Sequence, residues 1–327
     1  MSKVRKFLSA LELGLVLVLV PAGASAQAQS WPSQAVKIVV PTPPGTGPDI
    51  VARLCAEKLS AMWGQPVIVD NRAGAGGIPA MSALARAGDG HTFGVMPTAV
   101  IALTPHLFRN PQFDVDRDVV TVSNIVISPL LLVATPSLGV STLPALVELA
   151  RRKPGGVKFA LPQLNSVPHL TGEMLSAATG MKMLSVPYNG SAASITATIA
   201  GEGGQVTIDS PAPLMGHIQS GRLRAIAVMS SKRLPGLDHV PTVAETVPNF
   251  EAAGWFALFA PAKTPAQVTT RVNQDVNHVL QMPDVTARLA ELGLQPAPGS
   301  QAGATRFVKA ERERWAKVAR DMGLQPE

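Results

Sequence analysis

"AVKIVVPTPPGTGPDIVARLCAEKLSAMWG", residues 35–64, holds the unit from which the chain is built. An apolar run, interrupted only by Lys37, ends at Val40 in a knot of proline and glycine, and from Pro48 apolar residues recur at helical spacing. Proline removes amide donors and fixes φ, whereas glycine adopts backbone angles closed to other residues. A chain that concentrates both at the mouth of a buried strand makes a loop whose backbone, and not its side chains, meets something. With Pro48 opening the helix, Gly45-Thr46-Gly47 presents amides at a helix N-terminus, where unpaired donors and the helix dipole both favour an anion. The same spacing serves an unliganded strand-to-helix turn equally well. It is neither a phosphate loop nor a dinucleotide fingerprint, because no Lys-Ser/Thr pair follows and the glycines are misplaced. Asp49 falls in the first helical turn, where its expected task is to accept amide bonds and brace the loop.

The unit recurs. Short apolar runs "PVIVDN" (66–71), "HTFGVM" (91–96), "VKFAL" (157–161), "MLSVPY" (183–188), "VTID" (206–209) and "RAIAVMS" (224–230) are each trailed by a helix-like segment. Strands without polar alternation, separated by helices, predict sheets covered on both faces, the α/β class. Two extended stretches break the rhythm: "IVISPLLLVATP" (125–136), which would cross between domains, and "AAGWFALFAP" (252–261), which would cross back. Only helices are expected afterwards. Thr264 would cap and Pro265 open one with Val268, Val272, Val276 and Val279 on one face, and the last carries a stripe of Phe307, Trp315, Val318 and Met322.

At the N-terminus, Lys3, Arg5 and Lys6 precede "LGLVLVLV" (13–20), and Ala24-Ser25-Ala26 has the small-x-small form of a signal-peptidase site. Residues 1–26 therefore read as a cleaved signal peptide and the protein as exported. Without Lys3, Arg5, Lys6 and Glu12 the formal charge of +6 falls to +4. With 15% charged residues and no alternation of basic and aromatic side chains, nucleic acid is not an expected partner. The single cysteine, Cys55, permits no intrachain disulfide and shares a helical stripe with Val51, Leu54, Leu59 and Met62, the place of a buried, inert thiol.

Three further strand ends are candidate binding loops. In "PQLNSVPHLTGEML" (162–175), Ser166 or Asn165 would cap a helix carrying His169, which reads most simply as a packed histidine bonded to backbone. "VPYNGSAAS" (186–194) holds Tyr188, the only tyrosine, then the turn pair Asn189-Gly190. Asp209 ends "VTID", where a strand-end carboxylate would face a crevice. No G-x-S-x-G elbow, H-E-x-x-H motif or Cys/His cluster occurs, and Ser166, His169 and Asp209 are explained without catalysis, so no enzyme, metal or cofactor is expected.

Taken together, residues 31–80 with "HLTGEML", "VPYNGSA", "GRLRAIAVMSSKRLPGLDHVPTVAET" and "FEAAGWFALFAPAKTPAQV" resemble the tripartite tricarboxylate transporter receptors, the Bordetella-uptake-gene type of periplasmic solute-binding protein. The resemblance implies a two-lobed, type II-like periplasmic-binding-protein fold with the ligand in the cleft. Lobe 1 would comprise residues 27–128 and 253–327, and lobe 2 residues 129–252. It also implies a small organic carboxylate held by backbone amides, hydroxyls and waters, delivered by a monomeric receptor to membrane permease subunits. Pro43, Pro44, Gly45 and Asp49 match the family's first loop; Ser166, His169, Tyr188, Gly190 and Asp209 match its second lobe. Thr42, Thr46, Gly47, Thr98, Asn165 and Asn189 complete the expected ligand-binding set.

The chain departs from the family pattern at Pro48, where a hydroxyl is usual, at Thr42, where an aromatic is common, and in "PQLNSVP", usually glycine-rich. Thr46 and Ser166 would then face each other across the cleft as hydroxyl donors. A sensor acting on a membrane histidine kinase and an α/β hydrolase are the alternatives.

Overall fold

The computed structural model describes residues 31–324 and residue 326, so the expected signal peptide lies outside the described residues. Strands β1 (Val36–Val40), β2 (Val67–Asn71), β3 (Thr92–Pro97) and β4 (Val119–Pro129) come first. β5 (Leu131–Ala134), β6 (Lys158–Leu161), β7 (Leu184–Pro187), β8 (Val206–Asp209) and β9 (Arg224–Val228) follow, and β10 (Ala253–Pro261) and β11 (Gln295–Pro296) close the series. The helices are α1 (Gly47–Trp63), α2 (Ile78–Arg86), α3 (Thr104–Leu107), α4 (Val115–Asp118), α5 (Leu143–Arg152) and α6 (Val167–Thr179). After them come α7 (Ser191–Ala200), α8 (Pro211–Gln219), α9 (Ala266–Leu280), α10 (Pro283–Glu291) and α11 (Gln301–Asp321).

Two sheets result, ordered β11-β4-β10-β3-β1-β2 and β7-β6-β8-β5-β9. The class is α/β and the fold two-lobed. β1 pairs in parallel with β2 and β3, as strand–helix–strand units require. The sheets are nevertheless mixed: β10 runs antiparallel to both β3 and β4, and β5 antiparallel to β8 and β9. The reason is connectivity. β4 leaves the first sheet and continues past Leu130 into β5 of the second, while β10 re-enters the first sheet at Ala253, so the outgoing and returning strands lie side by side in opposite senses. Met229 ties the two passes together: its N–H donates to Leu130 O at 2.8 Å, and its carbonyl accepts from the Ala252 N–H at 2.9 Å.

The helices bury the faces that their periodicity marks. α1 seats Val51, Cys55 and Leu59 in the first-lobe core, and burial pushes the Cys55 thiol up to about 12. Met62, expected on the same stripe, is instead 39% exposed, because it lies in the last turn where the helix leaves the sheet. In α9 the valines at 272, 276 and 279 are buried, but the N-cap is Pro265 and not Thr264, whose buried Oγ1 accepts from none of the helix's first amides among the described residues. α11 buries Trp315 and sets Phe307 edge-on to Trp255 of β10, with ring centroids 5.9 Å apart. The C-terminus thereby returns to the first lobe beside the crossing.

Candidate functional site

The first loop is built around Asp49. Gly45 sits at φ +82°, a conformation that favours glycine, and its N–H donates to Asp49 Oδ2 at 2.8 Å. Asn71 Nδ2 donates to Oδ1 at 2.8 Å, and Arg53 closes the carboxylate from the next helical turn at 3.0 Å. Asp49 is 2% exposed. Burial alone would raise its carboxyl, but the bonds from Arg53, Gly45 and Asn71 outweigh burial and hold it below the ordinary value. The helix opens at Gly47, one residue before the expected Pro48, and no side-chain cap takes its first amides.

The second loop repeats the first. Asn165 takes a positive φ of 57°; Ser166, like Thr46, is an extended cap; Pro168, like Pro48, follows two residues on. His169 then does what Asp49 does, accepting the Asn165 N–H on Nδ1 at 3.0 Å. That bond requires an unprotonated Nδ1. Burial holds the imidazole below its ordinary value, against the pull of Glu173, 3.7 Å from Nε2.

The hydroxyls at these loops do not face one another as free donors. Thr46 Oγ1 donates to Pro43 O at 2.8 Å, so the 2.6 Å contact between Thr42 Oγ1 and Thr46 Oγ1 uses the Thr42 proton. Ser166 Oγ donates to Gln163 O at 2.7 Å while accepting from the His169 N–H. With these protons committed inside the loops, and the Gly45, Asn165 and His169 amides taken as well, only the other amides of the two helix starts are left for a ligand. Ser166→Ala is accordingly expected to lose about 1 kcal/mol of stability through its cap, as urea denaturation would read.

Between the loops lies a cavity of about 570 Å³. Lobe 1 contributes Pro41 and Thr42, the run Gly74–Gly77, and a wall from Pro97 to Phe108; lobe 2 contributes Gln163 to Ser166. Of the expected site residues, Thr42, Asn165 and Ser166 meet on this wall. Gly45, Thr46, Asp49 and His169 are not on it but are bonded within the loops, beside Pro43, whose carbonyl accepts from Thr46, and Gly47 is exposed at the start of α1. Thr98 is taken out of contention: its hydroxyl donates to Trp255 O and accepts the Trp255 N–H, joining β3 to β10. Tyr188 packs its hydroxyl over Gly203, while Asn189 and Gly190 are exposed ahead of α7. Asp209 is 6% exposed, accepts from Ser210 N on Oδ1 and leaves Oδ2 without a partner; burial pushes its carboxyl up.

Sequence reasoning missed the wall itself. Ala99–Leu103 forms a π-helix, a wide turn common at functional sites, which runs into α3. The glycine run lies flat against it: a Cβ on Gly76 would stand 2.5 Å from the Phe108 ring, and Thr104 Oγ1 donates to Gly76 O at 2.6 Å. The conjunction of "AGAGG" with "AVIALTPHLF" was the available signal. A larger concavity of about 630 Å³ lies on the outside of lobe 2, but its arginines are occupied, Arg151 by Thr179 O and Arg152 by Glu148. Among the described residues no group of His, Cys, Asp or Glu is placed to hold a metal ion, and no helix is long and apolar enough to cross a membrane.

The family model described as tripartite tricarboxylate transporter family receptor matches residues 51–324. Protein BugT of Bordetella pertussis is 35% identical over 316 residues, covering 96% of this chain and 97% of BugT. The structure of Rpa4515 of R. palustris with adipate superposes with a TM-score of 0.80 at 36% identity, covering 91% of this chain and all of that one. MatC (Rpa3494) from Rhodopseudomonas palustris with bound malate gives a TM-score of 0.73 at 27% identity, over 88% and 99%.

Proposed function

The chain belongs to the tripartite tricarboxylate transporter receptor family, whose members are solute-binding receptors and not enzymes, and from that premise we propose that it captures a small organic carboxylate between its lobes and hands it to a membrane permease. The observation that carries this reading is a cavity between the lobes that is bordered by the start of α6 at Asn165-Ser166 and by the first-lobe loop leading into α1, with no charged side chain on its wall among the described residues. Amides at a helix start stabilise an anion without a counter-ion. Thr42, Asn165 and Ser166 are the proposed contacts, and Asp49 and His169 hold the loops that carry them. The proposed lobes are residues 27–128 with 253–327, and 129–252, a division supported by the passes at Leu130 and Ala252. Closure would bend the chain there. Receptors of this family are periplasmic; export by a signal peptide cleaved after Ala26, and action as a monomer, are part of the proposal.

A melting-temperature panel tests it. Saturation at a hundred times the dissociation constant adds about 2.7 kcal/mol, so a cognate carboxylate should raise the melting temperature by roughly 5–10 °C. Its primary amide and methyl ester should not. A panel in which only sugars or cations stabilise the protein would defeat the reading.

A further inference from the structure

Each of the two loops is braced by one side chain from the first turn of the helix that follows it, and the two braces differ in chemistry. On lobe 1 the brace is the Asp49 carboxylate, which accepts the Gly45 N–H and is held below its ordinary value. On lobe 2 it is the His169 imidazole, 8% exposed, whose Nδ1 accepts the Asn165 N–H at 3.0 Å. The lone pair that receives this bond is the one that would take up a proton, so the bond and the imidazolium exclude each other. Asn165 stands at φ +57°, a left-handed conformation that persists only where its surroundings hold it. Ser166 is tied to the same residue, its Oγ accepting the His169 N–H at 3.4 Å. Asn165 and Ser166 both line the cavity.

Resting on the receptor reading above, we infer that His169 is a positioning residue whose protonation releases the second loop, so that acid weakens the hold on a carboxylate from lobe 2 while the first loop stays braced. The protonated ring has a partner waiting. Glu173 Oε1 lies 3.7 Å from Nε2 and is steadied by the Ser185 hydroxyl of β7, which donates to it at 2.9 Å. The charged groups on the other elements packed against α6 are engaged elsewhere. Lys158 of β6 donates to Glu202 O, and Asp209 of β8 accepts from Ser210. On α11, Glu311 pairs with Arg314, Arg312 with Asp116, and Lys317 with Asp321. Across the cavity Asp49 is paired with Arg53. Glu173 is the charge that acts on the ring and it favours the imidazolium, whereas burial opposes the imidazolium and prevails. The brace is therefore whole above the ordinary 6.5 and is lost as pH falls through the lower folded value.

Nuclear magnetic resonance of the mature chain without ligand decides the switch. At pH 7.5 the His169 ring should show a bare Nδ1 and a protonated Nε2. As the pH is lowered to 5.0 the ring should take up its proton with a midpoint below 6.5, and the Asn165 amide resonance should move with the same midpoint. His169→Asn places an amide oxygen where Nδ1 stands, an acceptor that does not titrate, and should leave the Asn165 resonance in place across that range. Glu173→Gln removes the charge that favours the imidazolium and should move both midpoints to lower pH. A proton on Nδ1 at pH 7.5, or an Asn165 resonance that does not follow the ring, would overturn the inference. Calorimetry with glutarate and benzoate as probes reads the consequence. Between pH 7.5 and 5.0 the parent should lose at least about threefold more affinity than His169→Asn, a comparison from which proton uptake by the acids themselves cancels. Equal losses in the two proteins would overturn the inference as well. If neither acid binds the parent at pH 7.5, that failure counts against the receptor reading alone, and the resonances still decide the switch.

Discussion

Asp49→Ala is expected to lower stability by about 3 kcal/mol, since a hydrogen bond to a charged group is worth roughly 1.5–3 kcal/mol and three donors lose their acceptor at once. The loss stays short of the sum because Arg53 is half exposed and regains water, whereas the Gly45 N–H and the Asn71 amide point into the loop. Asn71 also donates to Thr42 O, so releasing it loosens a residue on the cavity wall. Ligand affinity should therefore fall with stability, by more than tenfold, although Asp49 touches no ligand. Asp49→Asn keeps the shape and isolates the charge. The parent's carboxyl is held below its ordinary value, so its contribution is fully present above the unfolded-state pKa of about 3.9 and is lost as pH falls through the lower folded value. Guanidinium denaturation should then show a stability gap between parent and Asp49→Asn that is constant above about pH 5 and closes below about pH 3. A gap independent of pH down to pH 2.5 would mean that the carboxylate's charge does not brace the loop.

What the sequence discloses about this molecule follows physical range. Helix faces and buried strands are written in local periodicity, so the α1 stripe through Val51, Cys55 and Leu59 is readable from spacing alone. The same holds for the bracing role of Asp49, because a carboxylate in the first turn of a helix has few acceptable partners other than loop amides. Thr98 shows the limit. Its hydroxyl joins Trp255, 157 residues away, and nothing near Thr98 announces that bond. The Thr46 and Ser166 hydroxyls fail differently: their residue types are right for ligand contact, but the positive φ at Gly45 and Asn165 folds each loop back so that a carbonyl three residues earlier collects the proton. The π-helix wall was hidden because its residues are those of any buried apolar segment. What makes it a wall is the glycine run packed beneath it, a tertiary contact.

That packing supplies the second large effect. Gly77→Ala is expected to cost about 2–5 kcal/mol, in two separable parts. Gly77 stands at φ +84°, where a residue with a Cβ pays about 1–2 kcal/mol. The new methyl would also lie 2.5 Å from Val100 Cγ2 and 2.9 Å from Cγ1, with Pro41 Cβ at 3.2 Å on the other side. Overpacking of that kind costs typically 1–3 kcal/mol. Pro41 opens the first-lobe loop directly after β1 and cannot yield without moving Thr42, so the π-helix must give way, carrying Val100 into the cavity. Val100→Ala deletes both offending methyls and leaves the backbone strain untouched. In a double-mutant cycle, Gly77→Ala should therefore cost about 1–3 kcal/mol less on the Val100→Ala background than on the parent, a coupling of the size expected for residues in contact. About 1–2 kcal/mol should persist as the penalty of the left-handed backbone. Denaturation of the four proteins measures both parts. Strict additivity, within about 0.5 kcal/mol, would place the whole cost in the backbone. It would show that the glycine run is demanded by its own turn and not by the wall that rests on it.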